Sequence, residues 1–508
     1  MNEVSHALQR IARGTGIVFA GTIISMFFGF ISRAVIARYL SVGEYGVFNL
    51  ALTVLNIALV VSTLGLQNAL PREIAFYKER ESSRIMDLIS MALIIVALNS
   101  LIWTKVLIFG AENISQVFNE ERLVYALKIM AFALPFSALI GMMISISQGF
   151  GRVREKVYFQ NILYPTVFLV LVVGGAFLEL SFTYVFFAYV VAQALTLLVL
   201  TFDVWKIKLF EFKLSFNMKI GKKLLTFSLP LMLGGILIFV MNWTDTLMLG
   251  YYGTSEVVGL YNAATPLARL IPIFLNSAAF LYPPIAASLY AKDRLKELKR
   301  TYQILTKWIF LSTLPIFSVM FLFPEVTIGL LFGTKYLPAS QALRILALGS
   351  MFHTFLGLNG LSLVVIGETR FGLKSSSVSA VLNVILNALL IPSYGIEGAA
   401  VATAVSYLVA NILNSWKLYQ KTKIHPFSWN YVKSLAISFV LLGLLQSLQL
   451  KVPNIWYAVL ILVVFLILYL LLVLLSKSID KEDIDLLASI EKKLGVNLKI
   501  IKIIRKII

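Results

Sequence analysis

Apolar residues run along this chain in blocks of about twenty, separated by short polar stretches. A hydrocarbon layer of ~30 Å imposes that length on a spanning helix. Fourteen spans are predicted, near residues 15–38, 45–70, 86–109, 123–148, 158–178, 183–204, 225–250, 257–289, 304–323, 340–366, 376–392, 397–416, 432–450 and 455–475. Prolines at 135, 165, 230, 266, 272 and 315 fall inside spans, where neighbouring helices re-satisfy the backbone. The predicted fold is an all-α polytopic membrane protein with about 14 transmembrane helices. Its parts are an N-terminal bundle (1–204), a cytoplasmic linker (205–224), a second bundle (225–430), two extra helices (431–476) and a basic amphipathic tail (477–508).

The pattern repeats. The stretch from Gly14 to Ala75, with the connection SVGEYG, returns about 213 residues later at Leu224 to Tyr290. Within it, Gly46, Phe48, Asn49 and Ala51 match Gly259, Tyr261, Asn262 and Ala264, and Pro71 matches Pro284. Further on, Gly149, Arg152 and Lys156 match Gly367, Arg370 and Lys374. Ordered matches at a nearly constant offset point to duplication rather than to shared composition. Six spans per half make the halves parallel repeats, with a substrate site between them near the midplane.

Composition fits this reading: 59% of the residues are hydrophobic and 14% charged, against about 25% charged in soluble domains. The formal charge of +19 suggests nucleic acid until its placement is read. Of 44 Lys and Arg, 34 fall in one alternating set of connections and the ends. By the positive-inside rule that set is cytoplasmic, with both termini, in the cytoplasmic membrane. Nucleic acid is therefore not a predicted partner. Arg10 and Arg13 precede an apolar run too long for a cleaved signal, so the first span is read as an uncleaved anchor. The tail, LKIIKIIRKII, spaces Lys499, Lys502 and Lys506 along one side and is predicted to lie on the inner membrane surface. Absent cysteine removes disulfides and cysteine metal sites. Without a Walker-type loop there is no ATP-driven pump, and no cofactor or metal is predicted. Short outward loops, the longest from Pro324 to about Ala339, leave no room for an external catalytic domain, so no enzyme is expected.

A charge at the centre of a spanning helix costs roughly 2.5–3.5 kcal/mol. Arg269, about twelve residues into the eighth span, and Arg33 and Asp245, in the outward thirds of the first and seventh, are the charges that most need a reason. Arg38, Lys105, Arg122, Lys128, Lys307 and Arg344 lie near span ends and are read as snorkelling. Glu44 and Glu256 are read as helix-start residues, and His353 as a hydrogen-bonded interior histidine. In the repeat alignment Asp245 replaces Ser32, and Arg269 replaces Asn56.

GTGIVFAGTIISMFFGFISRAVIARYLSVGEYGVFNLALTVLNI, TDTLMLGYYGTSEVVGLYNAA and IPSYGIEGAAVAT resemble the O-antigen-type polysaccharide-unit flippases. These belong to the multidrug/oligosaccharidyl-lipid/polysaccharide exporter superfamily. The resemblance spans essentially the whole chain. It implies twelve core helices in two bundles and movement of polyprenyl-(pyro)phosphate-linked oligosaccharides through a central cavity by alternating access, for cell-surface polysaccharide biosynthesis. Arginine forks suit phosphate oxygens, so Arg33 and Arg269 are predicted anion contacts; a structural Arg33–Asp245 ion pair is the competing reading. Asp245 also suits a coupling proton or sodium ion. Asn49, Asn56 and Asn262 are candidates for sugar hydroxyls or for bonds to neighbouring helices. Arg72, Arg152 and Arg370, at cytoplasmic ends, are weaker candidates for guiding entry, since anchoring explains them. Membrane lipids and glycan-assembly enzymes are the other partners implied. A cation-coupled multidrug exporter is the alternative; a membrane glycosyltransferase would need positioned acids that the short outward loops lack.

Overall fold

The computed structural model describes residues 3–210, 215–448 and 455–484, with side chains from residue 20 onward except Ser82 and Leu281. The predicted amphipathic helix beyond Ile484, and residues 211–214 of the linker, lie outside them. All regular structure among the described residues is helical. Among the described residues, ten helices are long and apolar enough to cross a membrane, or twelve if two bent pairs each count as one span.

The contacts divide the chain into two units, 1–263 with 380–402, and 264–379 with 403–508. The first unit holds α1 (Glu3–Tyr39), α2 (Val42–Thr63), α3 (Leu66–Arg80), α4 (Ile85–Val117), α5 (Arg122–Met130) and α6 (Ala133–Gly149). A π-helix (Lys156–Leu163), α7 (Tyr164–Phe177), α8 (Thr183–Lys206), α9 (Met218–Tyr252) and the start of α10 (Ser255–Ala268) follow. The second holds α11 (Ile273–Ala291), α12 (Leu295–Leu322), α13 (Pro324–Leu331), α14 (Ser340–Phe355), α15 (Asn359–Val365), α17 (Trp429–Ser447) and α18 (Ile455–Leu475). Between α15 and α17 runs α16 (Thr369–Thr422), which belongs in parts to both units and is kinked at Gly395, φ 53° and ψ −128°.

Caps and breaks move several boundaries. Ser41 accepts from the Glu44 N–H at 3.2 Å while its own N–H donates to Glu44 Oε2 at 2.8 Å. This capping box starts α2 at Val42, so most of the connection read as SVGEYG is already helix. The span expected over 45–70 instead breaks at Leu64 and Gly65, both left-handed, and resumes as α3. Asn217 caps α9 by accepting from the Ile220 N–H and donates to Asp87 at 3.1 Å, which starts that helix seven residues before the predicted span. The connection from Pro324 to Ala339 is ordered as α13 and a 3₁₀ turn (Thr334–Ala339), where a loop was expected. The eighth predicted span, 257–289, is broken between α10 and α11 by 52°.

The first unit packs α3, α4, α6, α8 and the start of α9 around buried Leu70, Ile89, Ile140, Met142, Leu200 and Leu224. Its tightest approach joins the two copies of the repeated motif. A Cβ on Gly46 of α2 would lie 1.6 Å from the Ser255 carbonyl oxygen, and one on Gly259 of α10 would lie 2.1 Å from that of Val42. Small residues let membrane helices approach backbone to backbone, and here only glycine fits on either side.

In the second unit, Lys307 of α12 is 1% exposed and bonds the carboxylates of Asp480 and Asp483, which follow α18. Arg300 forks onto Asp480 and Glu482 at 2.9 and 2.6 Å, and Trp308 Nε1 donates to Asp483 at 2.7 Å. Snorkelling therefore does not describe Lys307; it is the centre of a buried ion network. Burial pushes the Asp480 carboxyl up, but bonds from Lys307, Arg300 and Asn430 outweigh this and hold it below its ordinary value. The Arg300 guanidinium likewise lowers Glu482.

Two outcomes follow from this packing. Gly46→Ala overpacks a backbone contact and is expected to destabilise the protein by ~1–3 kcal/mol. Gly174→Ala, with open space around it, should be neutral or stabilising by up to ~1 kcal/mol; thermal melts in detergent compare them. Because Asp480 and Glu482 have lowered folded values, their contribution is present above the unfolded carboxyl values and is lost as pH falls through the folded ones. The melting temperature should therefore fall on acidification, and Glu482→Gln should flatten part of that limb.

Candidate functional site

A cavity of about 620 Å³ opens inside the first unit, between α1, α2, α3, α6, the π-helix, α7 and α8. That volume lies within the ~300–1,000 Å³ of ligand sites. Arg33 and Lys156 line it, with the amides of Asn56, Gln67, Gln160, Asn161 and Gln193, and no carboxylate among the described residues does. Thr22 and Arg33 both reach it from α1, so it extends for roughly 16 Å along that helix at 1.5 Å per residue.

Arg33 stands two turns before the end of α1, within electrostatic reach of the Tyr45 and Tyr164 hydroxyls. Among the described residues it makes no ion pair. The aromatic wall is ordered: Tyr164 stacks on Phe168 at 6.2 Å, Phe48 stacks on Phe168 at 6.4 Å, and Tyr189 meets both Tyr164 and Phe168 edge-on. Of the predicted asparagines, Asn56 lines the cavity while its amide N–H also donates to the Leu52 carbonyl at 2.8 Å. Asn49 is buried against its own helix, donating to the Tyr45 carbonyl at 2.7 Å. Asn262 is buried between α9 and α10, donating to Thr246 Oγ1 at 3.2 Å, while the Tyr45 hydroxyl donates to its carbonyl.

Asp245 lies elsewhere in the first unit, 6% exposed. Its Oδ2 accepts from the Tyr261 hydroxyl at 2.5 Å. Its Oδ1 accepts from Asn387 at 2.7 Å and from Asn383 at 3.4 Å, both on α16. Asn387 in turn donates to Asn383 Oδ1 at 3.1 Å, and Asn387 Oδ1 is a buried acceptor without a hydrogen-bond partner. These hydrogen bonds hold the Asp245 carboxyl group against α10 and α16. In the second unit, Arg269 stands at the break between α10 and α11, its N–H donating to the Thr265 carbonyl at 3.1 Å.

Arg72, Arg152 and Arg370 lie at the surface or are partly exposed. Arg72 pairs with Glu73 at 2.6 Å and covers the Phe227 ring, and Arg152 pairs with Glu155 at 2.7 Å. Arg370 is exposed in the first turn of α16. His353, as predicted, is a hydrogen-bonded interior residue: Nδ1 meets Asn411 Nδ2 at 2.9 Å and the ring stacks on Tyr407. Sequence reasoning missed Lys156, Gln160 and Asn161, although two adjacent amides in the apolar run YFQNILYP are a usable signal.

A family model described as polysaccharide biosynthesis protein matches residues 11–289. The chain belongs to that family. A second model, MatE, matches residues 230–389. The probable low-salt glycan biosynthesis flippase of Haloferax volcanii is 26% identical over 85% of this chain and 89% of its own length. An uncharacterized membrane protein of Methanocaldococcus jannaschii is 31% identical, the match spanning 42% of either chain. Among solved structures, the lipid II flippase MurJ in an inward closed conformation superposes with a TM-score of 0.71 at 16% identity. It covers 90% of this chain and 98% of its own. A Vibrio cholerae MATE transporter reaches 0.58 at 15% identity, covering 82% and 97%. Both likenesses concern the fold. Like its family, this chain is a multi-pass membrane protein.

Tyr261→Phe removes one hydrogen bond to the buried Asp245 carboxyl group, worth ~1–3 kcal/mol. The variant should melt measurably lower than the parent, and Asn387→Leu lower still, because it also removes a donor and adds an apolar face.

Proposed function

We propose that the protein is a flippase that moves a polyprenyl-(pyro)phosphate-linked oligosaccharide across the cytoplasmic membrane for cell-surface glycan assembly. The observation that carries this reading is the cavity with Arg33 on its wall and no carboxylate among the described residues of its lining. Such a lining favours an anion and repels nothing on a neutral sugar, whereas a cationic drug meets like charge there. Glycan flippases among the relatives support the same substrate class. Arg269, at the helix break, is the second anion contact, and Asn56 serves sugar hydroxyls.

The chain then works by alternating access of two six-helix bundles, 1–204 and 225–430, joined by the 205–224 linker, with 431–476 as an appendage. Fourteen spans are reached by counting each bent pair once, dividing α16 at Gly395 and adding α17. The positive-inside distribution supports both termini in the cytoplasm. Asp245 is the seat of a coupling proton or sodium ion, its carboxyl group positioned by the amide N–H groups of Asn383 and Asn387. Glycan-assembly enzymes supply the substrate at the cytoplasmic face.

A cation-coupled multidrug exporter is the second reading, and the MatE match over 230–389 favours it. The test reconstitutes the protein in vesicles and follows lipid-linked oligosaccharide movement beside cationic-dye efflux. Lipid movement that is lost in Arg33→Ala and in Arg269→Ala, with both variants still inserted, is the expected result. Dye efflux tracking an ion gradient without lipid movement would replace the flippase reading by the exporter.

A further inference from the structure

Lys156 opens the one stretch of π-helix among the described residues, Lys156–Leu163. Its cause is in the sequence. Pro165 has no N–H to give the Asn161 carbonyl, and its ring crowds that carbonyl; the Tyr164 N–H turns instead to the Phe159 carbonyl, five residues back. The wider winding changes which side chains share a face. In an α-helix at about 100° per residue, position i+5 points some 140° away from position i. With i→i+5 bonding it returns close to the same face. Lys156, Gln160 and Asn161 all line the cavity as a result. Gly21 of α1 admits the segment: a Cβ there would lie 2.6 Å from Val157 Cγ1.

These three side chains make no hydrogen bond or ion pair with described residues. For Asn161, only 8% exposed, that is a cost unless water or a ligand meets it. Lys156 sits at the opposite end of the cavity from Arg33. It begins the helix that leads from the Arg152 connection into the membrane, while Arg33 is near the far end of α1. The two cations therefore bracket a passage lined by amides and rings.

We propose that Lys156, Gln160 and Asn161 form a subsite for the (pyro)phosphate and first sugar of the lipid-linked saccharide, filled before Arg33 is reached. Lys156 holds a phosphate oxygen as a point charge, and the two amides take hydroxyls of the adjoining sugar. This rests on the flippase reading above. Anchoring by the positive-inside rule accounts for a lysine at this level, but not for one turned into a cavity with two unpaired amides.

Farnesyl diphosphate binding to the full chain in lipid nanodiscs tests it, with farnesol as the uncharged control. Lys219→Gln is the comparison, an exposed lysine outside this cavity. Lys156→Gln should weaken diphosphate binding about tenfold, the equivalent of one charge-assisted contact, and Lys156→Arg should restore most of it. Farnesol binding should be unchanged in every variant, and equal melting temperatures exclude misfolding. A Lys156→Gln protein that binds diphosphate as well as the parent, or no worse than Lys219→Gln, overturns the subsite. Lys156-dependent binding in a protein whose vesicles move no lipid-linked saccharide would keep the subsite and overturn the flippase reading instead.

Discussion

Two carbonyl oxygens, those of Ser255 and Val42, occupy the space where side chains on Gly46 and Gly259 would stand. Helices in a bilayer gain little from burying apolar surface against one another, because lipid is as apolar as leucine. What remains is close packing, and backbone-to-backbone contact is its limit. The two repeated motifs meet at this contact, each glycine receiving the other motif's chain. Tyr45 and Asn262, both from those motifs, add a hydrogen bond at 3.2 Å beside it. Asp245, held by Tyr261 immediately before Asn262, is fixed by the same alignment.

The existence of the helices was legible because the bilayer dictates their length and every backbone polar group must be satisfied within them. Their ends were less so. Ser41 and Asn217 start helices through side-chain bonds that an apolar run does not reveal, and Asn217 also needs Asp87 from a distant segment. Leu64 and Gly65 interrupt a run that reads as continuous, because Gly65 fits under α9: a Cβ there would lie 2.4 Å from the Ser228 carbonyl oxygen. The break after Ala268 was foreshadowed by Pro272, yet the apolar run across it reads unbroken.

For the candidate site, the cost of an intramembrane charge singled out Arg33, which lines the cavity, and Asp245, which accepts from Tyr261 and Asn387. Asn56 reaches the cavity, whereas Asn49 and Asn262 are taken up by packing. Lys156 stayed hidden behind a rule that explains any lysine near a span end equally well. Only the winding of the helix around Pro165 separates a cavity residue from an anchor, and that depends on how α1 packs at Gly21.

The ion network at Lys307 changes what the last two helices mean. They read as additions to a twelve-helix core, yet a buried ammonium of that core takes its counter-charges from the residues just past α18. A cation left unpaired in such surroundings is among the costlier defects a protein can carry. Losing the terminal pair in the course of descent would thus have to be accompanied by a neutral residue at 307. The addition has become hard to reverse, and position 307 should record whether a relative ever possessed it.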